Sequence, residues 1–397
     1  MREKNHQKGS KSAIITPFIG VQRIEFLFEF LERLMMKQNF NRSSRSLLFV
    51  IDPADQLNVK KDSSIALMRA ASAMGMDIFI ATVADLSVNV RGKVGAWVQA
   101  IRILPLDVHQ QSKNLDQATQ NQSRVSSATW FAPVVKTSDI DREKSIDFQH
   151  HWCQLTDFSA VMMRKDPPFD MKFVAALWLL RRAKEQGARV VNDPDALLLR
   201  NEKLAILAYP DLISPTLVSS SLTEIRHFHQ QHRDVILKPL DGMGGAGVFR
   251  ITDNSINLSC VVEILTQQEQ TPLMAQRYIP AVSAGDRRVL VVHGQVMPYV
   301  LARMPQANET RANLAAGGVG VAQPISPRER LIAESVAPDL MCSGVVLAGL
   351  DVIGDYLTEI NITSPTCMVE IAQQTGFDIS RQVIEGLLDS DFTLNRN

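Results

Sequence analysis

Val235-Ile236-Leu237-Lys238-Pro239-Leu240-Asp241-Gly242-Met243-Gly244-Gly245-Ala246-Gly247-Val248-Phe249-Arg250-Ile251 sets a glycine-rich segment between two short apolar runs. The glycines spell G-x-G-x-x-G, the pattern of a dinucleotide-binding turn, but such a turn has to open a helix. Here Val248-Phe249-Arg250-Ile251 reads as a strand, so the segment is the tip of a β-hairpin. Glycines at such a tip can aim several backbone N–H groups at one anion. A protein kinase uses a similar hairpin, yet no D-F-G triplet completes that set here. A tight turn without a ligand is the plainer reading of these glycines taken alone.

Two lysines accompany the loop: Lys238 at the end of the preceding strand and Lys203 in Asn201-Glu202-Lys203. Both suit α- and β-phosphates. A third segment, Gly349-Leu350-Asp351-Val352-Ile353-Gly354-Asp355-Tyr356-Leu357-Thr358-Glu359-Ile360-Asn361, reads as a second hairpin. Its Asp351, Glu359 and Asn361 are hard oxygen donors, and Glu359 and Asn361 share a face because strand side chains alternate. Carboxylates combined with nucleotide phosphates are the usual way to hold Mg²⁺. Outward polar positions on an ordinary hairpin are the competing explanation. The metal reading makes a geometric demand. Gly354-Asp355 alone would be a two-residue turn, so Asp351 meets Glu359 only if the hairpin carries a bulge or a three-residue loop.

The remaining sequence frames these elements. With 397 residues, 45% hydrophobic and 21% charged, the chain can bury two or three linked cores. Forty-two basic and forty-two acidic residues leave no net field to draw the molecule to nucleic acid or an anionic membrane. No apolar run approaches the roughly 20 residues of a membrane span. Cys153, Cys260, Cys342 and Cys367 are far apart without a C-x-x-C pair, as expected of reduced thiols in a cytoplasmic protein. Residues 1–45 read as an N-terminal extension, disordered or a loose helix. The apolar run Leu47-Leu48-Phe49-Val50-Ile51, a helix from Ser63 to Met74 and a strand from Asp77 to Val83 make a β-α-β unit. A further strand at Ala160–Met163, a helix from Phe173 to Gln186 and a strand at Arg189–Val191 extend an α/β domain over 46–200. Within it, Gln, Ser and Asn dominate about 107–150, which reads as an insertion or mobile loop outside the core. Beyond 200 the texture becomes α+β, and His293, His150 and His151 receive no role.

Over nearly everything from Ser46 onward the chain resembles the bacterial glutathione synthetases, members of the ATP-grasp superfamily. The runs that carry the likeness include Val59-Lys60-Lys61-Asp62-Ser63-Ser64, Met163-Arg164-Lys165-Asp166-Pro167-Pro168-Phe169 and Ile236 to Gly245. Arg288 to Val292, Asn313 to Gly318 and Leu357 to Cys367 add to them. The resemblance implies an ATP-grasp fold with an N-terminal α/β substrate domain, a small ATP-grasp subdomain over 201–279 and a C-terminal one over 280–397. It implies that ATP, with Mg²⁺ or Mn²⁺, converts the carboxylate of γ-glutamylcysteine into an acyl phosphate that glycine's amine then attacks. By the same likeness, Lys203 and Lys238 bind phosphates under a mobile loop containing Gly242, Met243, Gly244 and Gly245. Met274 to Ile279 line the adenine, through Gln276, Arg277, Tyr278 and Ile279, and Asp286 approaches the ribose. Arg288 and Arg303 face the γ-phosphate and acyl phosphate, Asp351, Glu359 and Asn361 hold the metal, and Arg164 with Ser364, Pro365 and Thr366 holds substrate carboxylates. A lid over 304–321 bears Arg311 at its tip. A homotetramer of small-molecule substrate specificity, without nucleic-acid or membrane partners, completes the expectation.

Departures are confined to a few positions. Ala307-Asn308, Ala312 and Val319 stand where the family lid has glycines and an arginine, and Val369 replaces another arginine. Two other readings stay open on the residues. One is a carboxylate-amine ligase joining a different acid and amine, because a fold does not choose a substrate. The other is a non-catalytic ATP-binding regulator, which would have no need of the metal-ligand positions.

Overall fold

The computed structural model describes residues 45–104, 130–134, 150–304 and 319–389. The N-terminal extension up to residue 44, most of the 107–150 interval, Arg311 and most of the 304–321 lid lie outside the described residues.

Strand β1 (Ser46–Val50) is buried along its whole length, as a continuous apolar run requires when both faces of a parallel strand are covered. It pairs in parallel with β2 (Asp77–Ala81) and β7 (Ala160–Met163), and β7 with β8 (Val190–Val191). On the other flank, β4 (Val94–Ile103) runs antiparallel to β2, β3 (Leu86–Val88), β5 (Phe131–Pro133) and β6 (His150–Gln154). Alternation along β1 divides the interior. Leu48 and Val50 enter one core, and Leu47, Phe49 and Ile51 enter another. Helix α1 (Ser63–Ala73) covers the second with Ile65, Leu67 and Met68, and α2 (Met171–Glu185) covers the first with Phe173, Leu177 and Leu180. Asp62 caps α1 by accepting from the Ser64 and Ile65 N–H groups at 2.7 and 2.9 Å. The second helix begins two residues before its apolar pattern does, because Asp170 is its cap.

One expectation is corrected. Trp130, inside the Gln- and Ser-rich interval, is completely buried and donates its indole N–H to Ala54 O at 3.2 Å, while β5 follows at once. The averaged polarity of the interval concealed a three-residue strand. The expected strand to Val83 also stops at Ala81, where a 3₁₀ turn over Val83–Asp85 takes over.

After α3 (Pro194–Leu199) comes a four-stranded antiparallel sheet of order β11-β10-β12-β9. Its strands are β9 (Thr216–Ser219), β10 (Val235–Pro239), β11 (Phe249–Ile251) and β12 (Leu273–Arg277). Helices α4 (Leu222–His232) and α5 (Leu258–Leu265) back it with a separate core of Ile225, Phe228, Leu258 and Val262. The last sheet has the order β15-β14-β13-β16-β17. It comprises β13 (Asp286–Val292), β14 (Gln295–Met304), β15 (Val319–Pro324), β16 (Leu347–Ile353) and β17 (Tyr356–Asn361). Helix α6 (Pro327–Cys342) packs on the face bearing Val289 and Val291, and α7 (Met368–Thr375) and α8 (Ile379–Leu388) on the face bearing Leu290 and Val292. Among the described residues no helix is long and apolar enough to cross a membrane.

Candidate active site

The glycines do form a hairpin tip. β10 and β11 pair antiparallel from Val235↔Ile251 to Leu237↔Phe249, so no helix opens after the loop. Gly244, Gly245 and Gly247 all have positive φ, at 62°, 83° and 72°, which explains why the run cannot carry ordinary side chains there. The loop overhangs a cleft walled by Lys203, Lys238, Asp286, Asp351, Thr358 and Glu359, with Gln276, Arg277, Tyr278 and Ile279 at one end. Gly242, Met243, Gly244 and Gly245 line it from above. Lys203 donates to Gly242 O and lies 3.2 Å from Glu359, tying the loop to the opposite wall.

That wall obeys the geometric demand read from the spacing. The turn at Gly354-Asp355 has two residues, with Ile353 opposite Tyr356 and Val352 opposite Leu357. A bulge then inserts Thr358, so that Asp351 faces Glu359 directly and Gly349 faces Asn361. The bulged Thr358 carbonyl is not wasted, since Lys238 Nζ donates to it at 3.3 Å. Burial pushes the Lys238 ammonium below its ordinary value, and nearby Glu359 pulls the other way.

Register also creates a buried charge network. Asp286 stands across from Arg303, and Arg288 across from Asp351. Arg303 Nη2 reaches Asp286 at 2.6 Å and Asp351 at 2.9 Å, while Arg288 grips both Asp351 oxygens. Burial alone would raise the Asp351 carboxyl, but Arg288 and Arg303 together outweigh it and hold it well below the usual carboxylate range. Asp286 goes the other way, to about 6, because burial there exceeds the pull of Arg303. Among the described residues, Asp286 Oδ1 and Arg303 Nε find no hydrogen-bond partner although both are buried. The two arginines thus turn their forks to Asp351 rather than to open cleft.

Of the other expected residues, Gln276 donates to Thr216 Oγ1 at 2.9 Å, and the Tyr278 ring lies under the Arg250 guanidinium at 3.6 Å. Asn361 donates to Gly349 O at 3.3 Å. Arg164 and the 364–366 turn form a separate group. Arg164 Nη2 donates to Pro365 O at 3.0 Å and its Nε to Ser64 Oγ at 3.2 Å, while Ser364 Oγ donates to Arg164 O at 3.2 Å. Thr366 completes that turn on the exposed side. Val319 is 63% exposed at the start of β15, and Val369 lies half-buried in α7.

The donor set suits a small hard cation. Asp351 and Glu359 present carboxylates from neighbouring strands to the same cleft, Asn361 follows on the Glu359 face, and the orphaned Asp286 oxygen lies nearby. No group of three His, Cys, Asp or Glu placed to hold a metal ion occurs among the described residues.

Comparison with known proteins identifies the family over most of the described chain. Residues 46–198 match the prokaryotic glutathione synthetase N-terminal domain, and residues 202–376 match the ATP-grasp domain of the same enzymes. The chain belongs to the prokaryotic glutathione synthetase family. It is 42% identical to the glutathione synthetase of Ralstonia nicotianae over 349 residues, which is 86% of this chain and 94% of that one. With the glutathione synthetase of Bordetella parapertussis it shares 45% identity over 342 residues, covering 84% and 95%. Among solved structures, the D-cycloserine synthetase DcsG superposes with a TM-score of 0.55 at 14% identity, over 86% of this chain and 99% of that one. At that identity the likeness is one of fold, and the fold is ATP-grasp.

Some residues of this family member carry contacts that spacing did not reveal. Glu202, Asn192 and Ser64 make hydrogen bonds to distant segments around the site, those of Asn192 and Ser64 fully buried. Glu202 stood in the same quoted triplet as Lys203, but a carboxylate beside a lysine reads as a solvated pair. Only its distant partners expose its role.

Proposed function

We propose that this protein makes glutathione from γ-glutamylcysteine and glycine at the cost of one ATP, in a cytoplasmic homotetramer. The observation that carries the reading is the bulged hairpin, which brings Asp351 and Glu359 face to face beneath the glycine loop, beside Lys203 and Lys238. The substrate pair comes from its relatives, which are named glutathione synthetases. Thiols at Cys153, Cys260, Cys342 and Cys367, all unpaired with one another, suit a reducing compartment.

In this mechanism Lys203 and Lys238 neutralise the phosphates and the loop N–H groups cover them. Asp351, Glu359 and Asn361 would hold Mg²⁺, or Mn²⁺ in its place. The chemistry such a cation would supply is neutralisation of phosphate charge. The cysteinyl carboxylate oxygen attacks the γ-phosphorus and ADP leaves. Glycine's amine then attacks the acyl carbon, loses its proton, and phosphate departs. No nucleophilic side chain is needed, because positioning and charge stabilisation suffice. Arg288 and Arg303 fix Asp351 at the phosphoryl end of the cleft, and Arg164 with Ser364, Pro365 and Thr366 orients the acid. Tyr278, braced by Arg250, closes the base end with Gln276, Arg277 and Ile279.

A coupled assay of ADP release, with product identification by mass spectrometry, tests the reading. Release should require both γ-glutamylcysteine and glycine and should match glutathione formed. Turnover with a different acid and amine but not with these would identify another ligase. ATP binding without release under any substrate pair would leave a regulator.

The loop supplies a second expectation. Gly245 sits at φ 83°, where a side chain costs about 1–2 kcal/mol. Gly245→Val should therefore raise the KM for ATP roughly tenfold, with the melting temperature nearly unchanged because the loop is at the surface. An unaltered KM would remove the loop from phosphate binding.

A further inference from the structure

Asn201, Glu202 and Lys203 are consecutive, yet their side chains reach three different segments. Asn201 Nδ2 donates to Leu240 O at 2.9 Å, at the base of the glycine loop, and its Oδ1 accepts from the Lys203 and Leu204 N–H groups at 3.0 and 3.1 Å. Lys203 crosses to Gly242 O and Glu359. Glu202 turns away from both. Its Oε1 accepts three hydrogen bonds, from Ile362 N at 2.8 Å, Thr363 N at 2.9 Å and Thr363 Oγ1 at 2.8 Å. Its own carbonyl accepts from Ile360 N at 2.9 Å.

The other side of the same peptide is held as well. Asn192 Nδ2 donates to Ile362 O at 2.7 Å and to Leu347 O at 2.8 Å, and its Oδ1 accepts from Val346 N and Leu347 N at 2.8 and 3.0 Å. Ile362 is thus clamped at its N–H by Glu202 and at its carbonyl by Asn192. It lies between Asn361, at the end of β17, and the Ser364-Pro365-Thr366 turn that holds Arg164. Ile362 and Thr363 are only 1% and 7% exposed, so water cannot replace these partners.

We propose that Glu202 is a positioning residue of the ligation reaction, fixing the Ile362–Thr363 peptide so that Asn361 and the substrate turn keep their place relative to Lys203. The proposal rests on the glutathione synthetase reading above. The carboxylate stays desolvated, and burial, then the neighbouring Glu359, push it above the usual carboxylate range. What the clamp needs is one well-placed acceptor oxygen, since all three bonds end on Oε1. Lys203 is anchored separately, through Asn201.

Steady-state kinetics of three variants of the full chain tests this. Glu202→Ala should lower kcat at least about tenfold and raise the KM for γ-glutamylcysteine, because misplacement of about 1 Å costs up to ~100-fold. The KM for ATP should rise less than that for γ-glutamylcysteine, because Glu202 Oε1 bonds Ile362 and Thr363 while Lys203 and the base of the glycine loop keep their own anchor on Asn201. Glu202→Gln, which keeps the acceptor, should restore both parameters. Thr363→Val deletes a single donor and should show the same KM pattern at smaller amplitude, which keeps the test open if Glu202→Ala fails to fold. Equal losses in the Ala and Gln variants, a parallel rise in both KM values, or a Thr363→Val protein identical to wild type overturns the clamp. If the unsubstituted protein forms no glutathione, the functional reading fails before the variants are compared; an active wild type with an indifferent Glu202→Ala variant sinks only the clamp.

Discussion

Glu359→Gln is expected to abolish ligation while leaving a folded protein. Glu359 is a cleft-wall residue whose side chain keeps 23% of its exposure, and its contact is Lys203 at 3.2 Å. A partly exposed pair of this kind contributes about 0–1 kcal/mol, so the fold should tolerate its loss. The substitution keeps the volume and one carbonyl oxygen but removes a charge opposite Asp351, where two carboxylates face one cleft. Loss of a group that only hydrogen-bonds a metal ligand costs about 10- to 100-fold in metal affinity or activity, and loss of a direct ligand should cost at least as much. Turnover should fall at least about a hundredfold, with the melting temperature within a few degrees of wild type. Near-normal turnover at saturating Mg²⁺ would take Glu359 out of the metal site.

Asp351→Asn should damage both stability and activity. Asp351 is 3% exposed and accepts from Arg288 and Arg303 together. Asparagine would turn an NH₂ group toward a guanidinium and leave two buried cations with Asp286 as their carboxylate. Breaking a buried ion pair on one side typically costs about 3–5 kcal/mol. The urea midpoint at pH 7 should drop accordingly, and an unchanged midpoint would mean that the network is worth nothing to the fold. The sign of the pH dependence follows from the two carboxyls. Asp351 has a folded-state value below its unfolded value of about 3.9, so its contribution is present above that pH and lost as pH falls through the depressed value. Asp286, raised to about 6, acts oppositely. Its contribution is full below about 3.9 and is lost as pH rises through about 6. Between those limits Asp286→Asn should flatten a stability that otherwise declines with rising pH.

Much of the architecture was legible because it is local. Five successive apolar residues at 47–51, ended by Asp52-Pro53 and followed by a helix and a second strand, read as a buried parallel strand, and Leu48 and Phe49 do enter opposite cores. The glycine run could not be a Rossmann turn because Val248 to Ile251 is strand-forming, and β11 follows it. Side-chain parity across Gly354-Asp355 required a bulge or a three-residue loop if Asp351 and Glu359 were to meet, and a bulge at Thr358 provides it. Trp130 escaped because it precedes a strand only three residues long within a polar interval, too short for any period to register.

The pairing of charges was not legible. Asp286 and Arg303 are 17 positions apart, and Arg288 and Asp351 are 63 apart. Whether such residues touch depends on sheet order and register, which no local period encodes. The sequence by itself determined the glycine hairpin, the cation and oxygen-donor types, and the parity that a bulge or a three-residue loop had to restore for the donors to meet. Tertiary structure alone decided that Arg288 and Arg303 rest on Asp351, and that Glu202 and Asn192 grip the two sides of Ile362. The physical reason is that side-chain periodicity and turn chemistry act over a few residues. A buried polar atom, in contrast, must find a partner wherever the fold delivers one.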